Sequence, residues 1–174
     1  MINFFEDTDS NYVHRTYVNA SLADLTIAFA VDFSTSGEKC TKKAVIESNK
    51  KLIQLPLNID IINDELPKII DDIKNCKSLN VAGNGLSTLC KHNITQKQCD
   101  EIILYTLKVL KEKYGIIFDT IRSGGQTGAD ESGLKAAMKI GTKNIISLCP
   151  KGWRFRDEKQ DYYDENLFKK RFFE

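Results

Sequence analysis

A chain of 174 residues with 41% hydrophobic residues and a mean hydropathy of −0.33 can bury one core, so a single domain is expected. Lysine and arginine total 25 against 24 acidic residues, and a formal charge of +1 removes the electrostatic case for wrapping a long nucleic acid. The five cysteines lack metal-ligand spacing and form no even set for disulfides, and no apolar run reaches the ~18 residues of a membrane span, so a reduced cytoplasmic protein is expected.

In chain order, the N-terminal "MINFFEDTDSNYVHRT" has no basic region followed by an apolar run, so secretion is not expected. "YVHRTYVN" then supplies His14, Arg15, Tyr17 and Asn19 ahead of the first strand, where a lone His14 reads as a surface or packing residue. Apolar, β-branched Ala23 to Phe33 predicts a buried strand, followed by a helix from Lys39 to about Asn49 and a short strand ending near Pro56. Leu66, Ile69, Ile70 and Ile73 recur at helical spacing; with Pro67 tolerated only near a helix start, they predict a helix over roughly 64–75. "SLNVAG" is the next buried strand. Thr95 and Gln98 form a T-x-x-Q capping box, Cys99, Ile103, Leu107, Leu110 and Tyr114 line one face of the longest helix, and Gly115 ends it. "IIFDTIRS" reads as a strand, Glu131 to Ile140 as a helix, "NIISLCP" as a last strand and "DENLFKKRFF" as a short terminal helix.

Alternating strands and helices predict an α/β, Rossmann-like domain with a mostly parallel sheet covered by helices on both faces. Loops leaving the carboxyl ends of such strands share one edge, where ligands bind. Four loops here carry unusual chemistry. In "RSGGQTGAD", Gly124, Gly125 and Gly128 let backbone amides converge on an anion at a helix start, with Gln126 and Thr127 adding directional groups and Arg122 a charge. Asp130 either caps the helix or accepts a hydroxyl donor such as a ribose. The alternative is a tight turn whose glycines serve packing alone, the role given to Gly133.

"VAGNGLST" repeats the design with Gly83, Asn84 and Gly85, although many such turns use glycine for geometry only. "DFSTSGEKCT" offers Asp32, Ser34, Thr35, Ser36 and Gly37, either as caps or as ligand contacts. Glu38 in its first helical turn already satisfies the local positive potential, so an uncharged part of the ligand or its hydroxyls belongs there. "CPKGWRFRDEK" alternates Lys151, Trp153, Arg154, Phe155 and Arg156, which suits phosphates and planar rings; the alternative for Trp153 is to cover the core edge.

"SGGQTGADESGLKAA" followed by "CPKGW" resembles the opening motif of the molybdenum cofactor carrier family, part of the Rossmann-like superfamily that also holds the Lonely guy, lysine-decarboxylase-like proteins. "YVHRTYVNASLADLTIAFAVDFSTSGEKCTKKA" is similar to that family's second half, with Asn19, Asp24, Thr26, Gly37 and Thr41 on matching positions. The halves stand in permuted order: 1–57 resembles the second half, 120–174 the first, and 58–119 is a less familiar middle. The family's Gly-Gly-Thr turn is Ser36-Gly37-Glu38 here, and the Lonely guy signature Pro-Gly-Gly-x-Gly-Thr-x-x-Glu is absent. The resemblance implies a phosphate-type loop at a sheet edge and a pterin- or nucleotide-like ligand. Related members sense nucleotide-derived signals in defence against bacteriophages, and the stretches also resemble small phage-encoded proteins, which implies an anti-defence role.

The expected function is non-catalytic binding of a phosphorylated, nucleotide-like small molecule, with no cofactor assigned and sequestration of an immune signal as its use. A hydrolase of a nucleotide or nucleoside derivative, with Asp32, Glu38 or Asp130 as base, is the alternative, as is a molybdenum cofactor carrier. Nucleic acid is a third and weaker partner, and a homo-oligomer is expected.

Overall fold

The structure is a computed structural model and describes residues 1–173. β1 (Ile2–Glu6), α1 (Tyr12–Ser21), β2 (Leu25–Ala30), α2 (Ser36–Glu47), β3 (Lys51–Pro56), α3 (Ile59–Ile73) and β4 (Ser78–Gly83) form its first half. α4 (Leu86–Lys91), α5 (Gln96–Glu112), β5 (Thr120–Ser123), α6 (Ala129–Lys139) and β6 (Asn144–Cys149) follow. A hairpin of β7 (Arg154–Arg156) and β8 (Asp161–Tyr163) and then α7 (Glu165–Lys170) close the chain. Six strands make one all-parallel sheet in the order β1-β6-β5-β4-β2-β3, which is the α/β Rossmann-like architecture expected from the alternating pattern. Right-handed crossovers put α1 and α2, which pack together, on one face and α3, α5 and α6 on the other.

The two faces are built differently. Side chains alternate along a strand, so Leu25, Ile27 and Phe29 of β2 with Leu79 and Val81 of β4 and Ile121 of β5 all point to the α3, α5 and α6 side, where they bury completely with Ile62, Leu66, Ile103 and Leu107. The opposite face carries smaller and polar groups. Thr26, Asn80 and Arg122 stand side by side across three strands, and Ala28 and Ala82 follow one step nearer the carboxyl edge. Asn80 Nδ2 donates to Thr26 Oγ1 at 3.2 Å, and Arg122 Nε donates to Asn19 Oδ1 of α1 at 2.9 Å.

Several elements depart from expectation. The N-terminal segment forms β1 at the sheet edge and α1, capped by Asn11; neither was expected, because Val13, Thr16 and Tyr17 give α1 only a weakly apolar face. α3 starts at Ile59, where Asn58 accepts from Ile61 N, and runs through Pro67 rather than beginning beside it. Pro67 is exposed, so water can hydrate the carbonyl its missing N–H leaves behind. The Thr95–Gln98 capping box is present, and Gly115 ends α5 with φ +66°. Among the described residues no helix is long and apolar enough to cross a membrane.

Glycines at the carboxyl edge answer to backbone contacts. An added Cβ at Gly83, φ +148°, would strike the Phe29 carbonyl and lie 2.7 Å from Ala129 Cβ; at Gly128, φ +84°, it would strike the Asn84 carbonyl. Gly133 leaves room for Val81, as expected of a helix glycine on the sheet. Gly83→Ala and Gly128→Val are therefore expected to unfold the protein or lower its thermal midpoint by several degrees, measured by circular dichroism, independently of any ligand. A Gly128 variant with unchanged melting would contradict this packing.

Candidate functional site

β2 and β4 are neighbours in the sheet, yet the chain leaves β2 towards β3 on one side and β4 towards β5 on the other. Their outgoing loops separate there and open a crevice at the carboxyl edge, the place where α/β sheets bind ligands. A cavity of about 460 Å³ occupies it. Ala82 and Gly83 of β4 and Gly124 after β5 line its sheet side, α1 supplies Arg15 and Asn19, and the start of α2 supplies Ser36, Gly37 and Glu38.

The expected residues divide into two groups. Thr35, Ser36, Gly37, Gly83, Asn84, Gly85, Gly124, Gln126, Thr127, Asp130 and Arg156 all line the cavity, so loops from β2, β4 and β5 do converge. Asp32, Ser34, Arg122, Gly125, Gly128, Lys151, Trp153 and Arg154 do not line it. Each of these has work elsewhere. Asp32 accepts from Ser34 N and Oγ at 2.7 and 2.6 Å. Arg122 lies buried under α1 on Asn19, its pKa lowered by burial. The Gly125 carbonyl accepts from Arg171 Nη2 at 2.8 Å. Gly128 N donates to Gln96 Oε1 at 2.6 Å, so this amide serves α5 rather than an anion.

In the fourth loop, Lys151 is exposed, with its backbone N–H on the Asp9 carbonyl. Trp153 packs edge-on against Phe168 at 5.6 Å, the core-edge role allowed for it. Arg154 pairs with Asp161 at 2.8 Å and stacks over Tyr12. The β7–β8 hairpin reaches the cavity through its backbone: Gln126 Nε2 donates to the Arg154 carbonyl at 2.7 Å, and Thr127 Oγ1 donates to the Arg156 carbonyl. Asn84 is likewise committed, its Oδ1 accepting from Val31 N and Asp32 N and its Nδ2 donating to the Asp32 carbonyl, which ties the β2 and β4 loops together.

Three charged side chains dominate the interior. Arg15, 7% exposed, donates from Nη1 to Asp130 Oδ2 at 3.3 Å. Burial raises the Asp130 pKa against the opposing pull of Arg15. Glu38, 3% exposed, has its pKa pushed up to about 7 by burial and by the charges of Asp130 and Asp32, and its Oε2 has no hydrogen-bond partner among the described residues. From sequence, Glu38 reads as a helix-start carboxylate and as one of three candidate bases for the hydrolase alternative, and Arg15 stays outside the expected site. One signal was present: the small and polar alternation Thr26-Ala28 and Asn80-Ala82 marks a strand face that does not fill itself.

No family model, curated protein or solved structure matches the chain.

Proposed function

We propose that the cavity binds a phosphorylated, nucleotide-like small molecule without transforming it. One observation carries the reading: the loops after β2, β4 and β5 meet at the sheet's switch point around about 460 Å³ of space, within the range of small-molecule sites. α2 and α6 direct their positive N-terminal ends towards this edge. Arg156 and the Ser87 and Thr88 hydroxyls suit the anionic part of the ligand, while Glu38 and Asp130 suit its hydrogen-bond donors. A protein that holds a nucleotide signal without turnover lowers its free concentration stoichiometrically, which is the anti-defence use; kinship with the cofactor carriers is part of the same proposal.

Gly37 provides the test. It lines the cavity, has an ordinary negative φ, and an added Cβ would meet nothing within 4 Å. Gly37→Trp is expected to fold normally and lose ligand, since tryptophan is a better helix former than glycine by about 0.5 kcal/mol. Ligand released by heating purified protein and identified by mass spectrometry should be present in the wild type and absent from the variant. Equal recovery from both would refute the site.

A hydrolase is the second reading, favoured by Glu38, whose pKa of about 7 suits proton transfer near neutrality. Recovery of the intact compound after prolonged incubation supports binding; a converted product supports catalysis.

A further inference from the structure

Thr35 and Glu38 stand in the T-x-x-E spacing of a capping box, in which the glutamate returns a hydrogen bond to the N-cap amide. Only half of that box forms: Thr35 Oγ1 accepts from Glu38 N at 3.3 Å, but no bond runs from Thr35 N to the Glu38 carboxyl. In α5 the same spacing closes fully, with Thr95 N donating to Gln98 Oε1 at 2.9 Å. Glu38 thus gives up its local partner and is buried in the cavity wall instead, leaving Oε2 unsatisfied, an arrangement that costs free energy in the empty protein.

Resting on the nucleotide-binding reading, we propose that Glu38 determines which ligand enters: its carboxyl accepts from a pair of adjacent nitrogen donors, a ring N–H beside an exocyclic amino group. An anionic group is excluded at this point. The charged neighbours that act on Glu38 are Asp130 of α6 and Asp32 after β2, both acidic; Arg15 of α1 is engaged by Asp130 through Nη1, while its Nε has no partner among the described residues. The surrounding donors are largely spent within the protein: Asn80 Nδ2 on Thr26, Asn84 Nδ2 on Asp32, Gln126 Nε2 on Arg154 and Thr127 Oγ1 on Arg156. Arg156 and the Ser87 and Thr88 hydroxyls remain for the anionic part of the ligand, and the Glu38 carboxyl is left as an acceptor. Ala82, Gly83 and Gly124 leave the sheet side free of bulky side chains, which admits a flat ring, and the Glu38 carboxylate, once rotated to bring its buried Oε2 to the cavity, matches two parallel N–H groups in one plane. Guanine presents that edge. Hypoxanthine keeps the ring N–H and loses the amino group, and adenine has an amino group beside an acceptor nitrogen.

Calorimetric titration of ligand-stripped protein at pH 8 with GMP, IMP, AMP and ribose 5-phosphate tests the assignment. GMP is expected to bind tightest, with IMP and AMP weaker by about tenfold or more, the worth of one charge-assisted hydrogen bond. Glu38→Gln should weaken GMP by about 10–100-fold and leave ribose 5-phosphate unchanged. In the wild type, taking the pH from 8 to 6 should weaken GMP by about tenfold, because the carboxyl must then give up a proton to accept both bonds. Equal affinity for all four ligands, or GMP binding indifferent to both Glu38→Gln and pH, overturns the assignment while leaving nucleotide binding in place. Failure of all four to bind overturns both.

Discussion

Arg15→Ala is expected to cost the fold about 3–5 kcal/mol, the usual penalty for removing one partner of a buried ion pair. The guanidinium and Asp130 are both buried, 3.3 Å apart, with Asp130 in the first turn of α6 and Arg15 on α1, so the contact bridges the two faces of the sheet past its carboxyl edge. Without Arg15 the Asp130 carboxylate keeps only Gln126 N at 3.4 Å and a hydrogen bond from Ser123, and its pKa, already raised by burial, must climb further. A urea titration should show the loss as a lower midpoint at unchanged slope. Arg15→Met combined with Asp130→Asn should recover more than half of it, because the uncompensated charge is gone. Gly124 belongs to the same unit: a Cβ there would coincide with Arg15 Nη1 and lie 2.6 Å from Asp130 Oδ2. Gly124→Ala should therefore be severe in the wild type and mild in the Arg15→Ala background. A cost below about 1 kcal/mol for Arg15→Ala is what an exposed pair would give, and would contradict the burial.

The parallel sheet was legible because its central strands are apolar and the connecting helices carry three-to-four spacing, as in β2 and α5. β1 and α1 were missed for the complementary reason. β1 is an edge strand with Phe5 exposed, and α1 buries only Arg15, Asn19 and Ala20, so neither carries the apolar rhythm on which sequence reading depends. Pro67 misplaced the start of α3 because its position on the exposed side of the helix, where a lost hydrogen bond is replaced by water, is a tertiary fact.

The glycine-rich turns marked the edge where the loops converge on the cavity, but their glycines are explained by contacts among the turns themselves. Gly128 clears the Asn84 carbonyl, Gly124 clears Arg15, and Gly125 makes room for Ser147 and Phe168. A motif that packs one loop against another reads in sequence like a motif that holds phosphate, since both require a missing Cβ. The C-terminal cations were harder still. Arg154 and Arg171 find acids in Asp161 and Glu131, partners seven and forty residues away that no local pattern links to them. Glu38 was visible as a residue and invisible as a problem, because only the fold reveals that its capping bond is not made.

The burial of Glu38 makes stability depend on pH. Burial lifts the Glu38 pKa from 4.5 to about 7, so between these values the folded protein binds a proton that the unfolded chain has released. Stability contributed by this group is highest below about pH 4.5, declines as pH rises through 7 and is flat above; Asp130, also raised, has the same sign. Asp7 and Asp24, whose pKa values are lowered, act oppositely and remove stability as pH falls through the acid range. The Glu38 contribution amounts to about 3 kcal/mol between pH 4.5 and 8. Glu38→Gln is therefore expected to melt about 6–12 °C higher than the wild type at pH 8 and nearly with it at pH 5. A bound ligand that ends its two nitrogen donors on Glu38 should narrow that gap at pH 8 by stabilising the ionised wild type alone. Melting curves that differ equally at both pH values would show that Glu38 is not the proton-binding group, and a variant less stable at pH 8 would show that its carboxylate already has a partner in the protein.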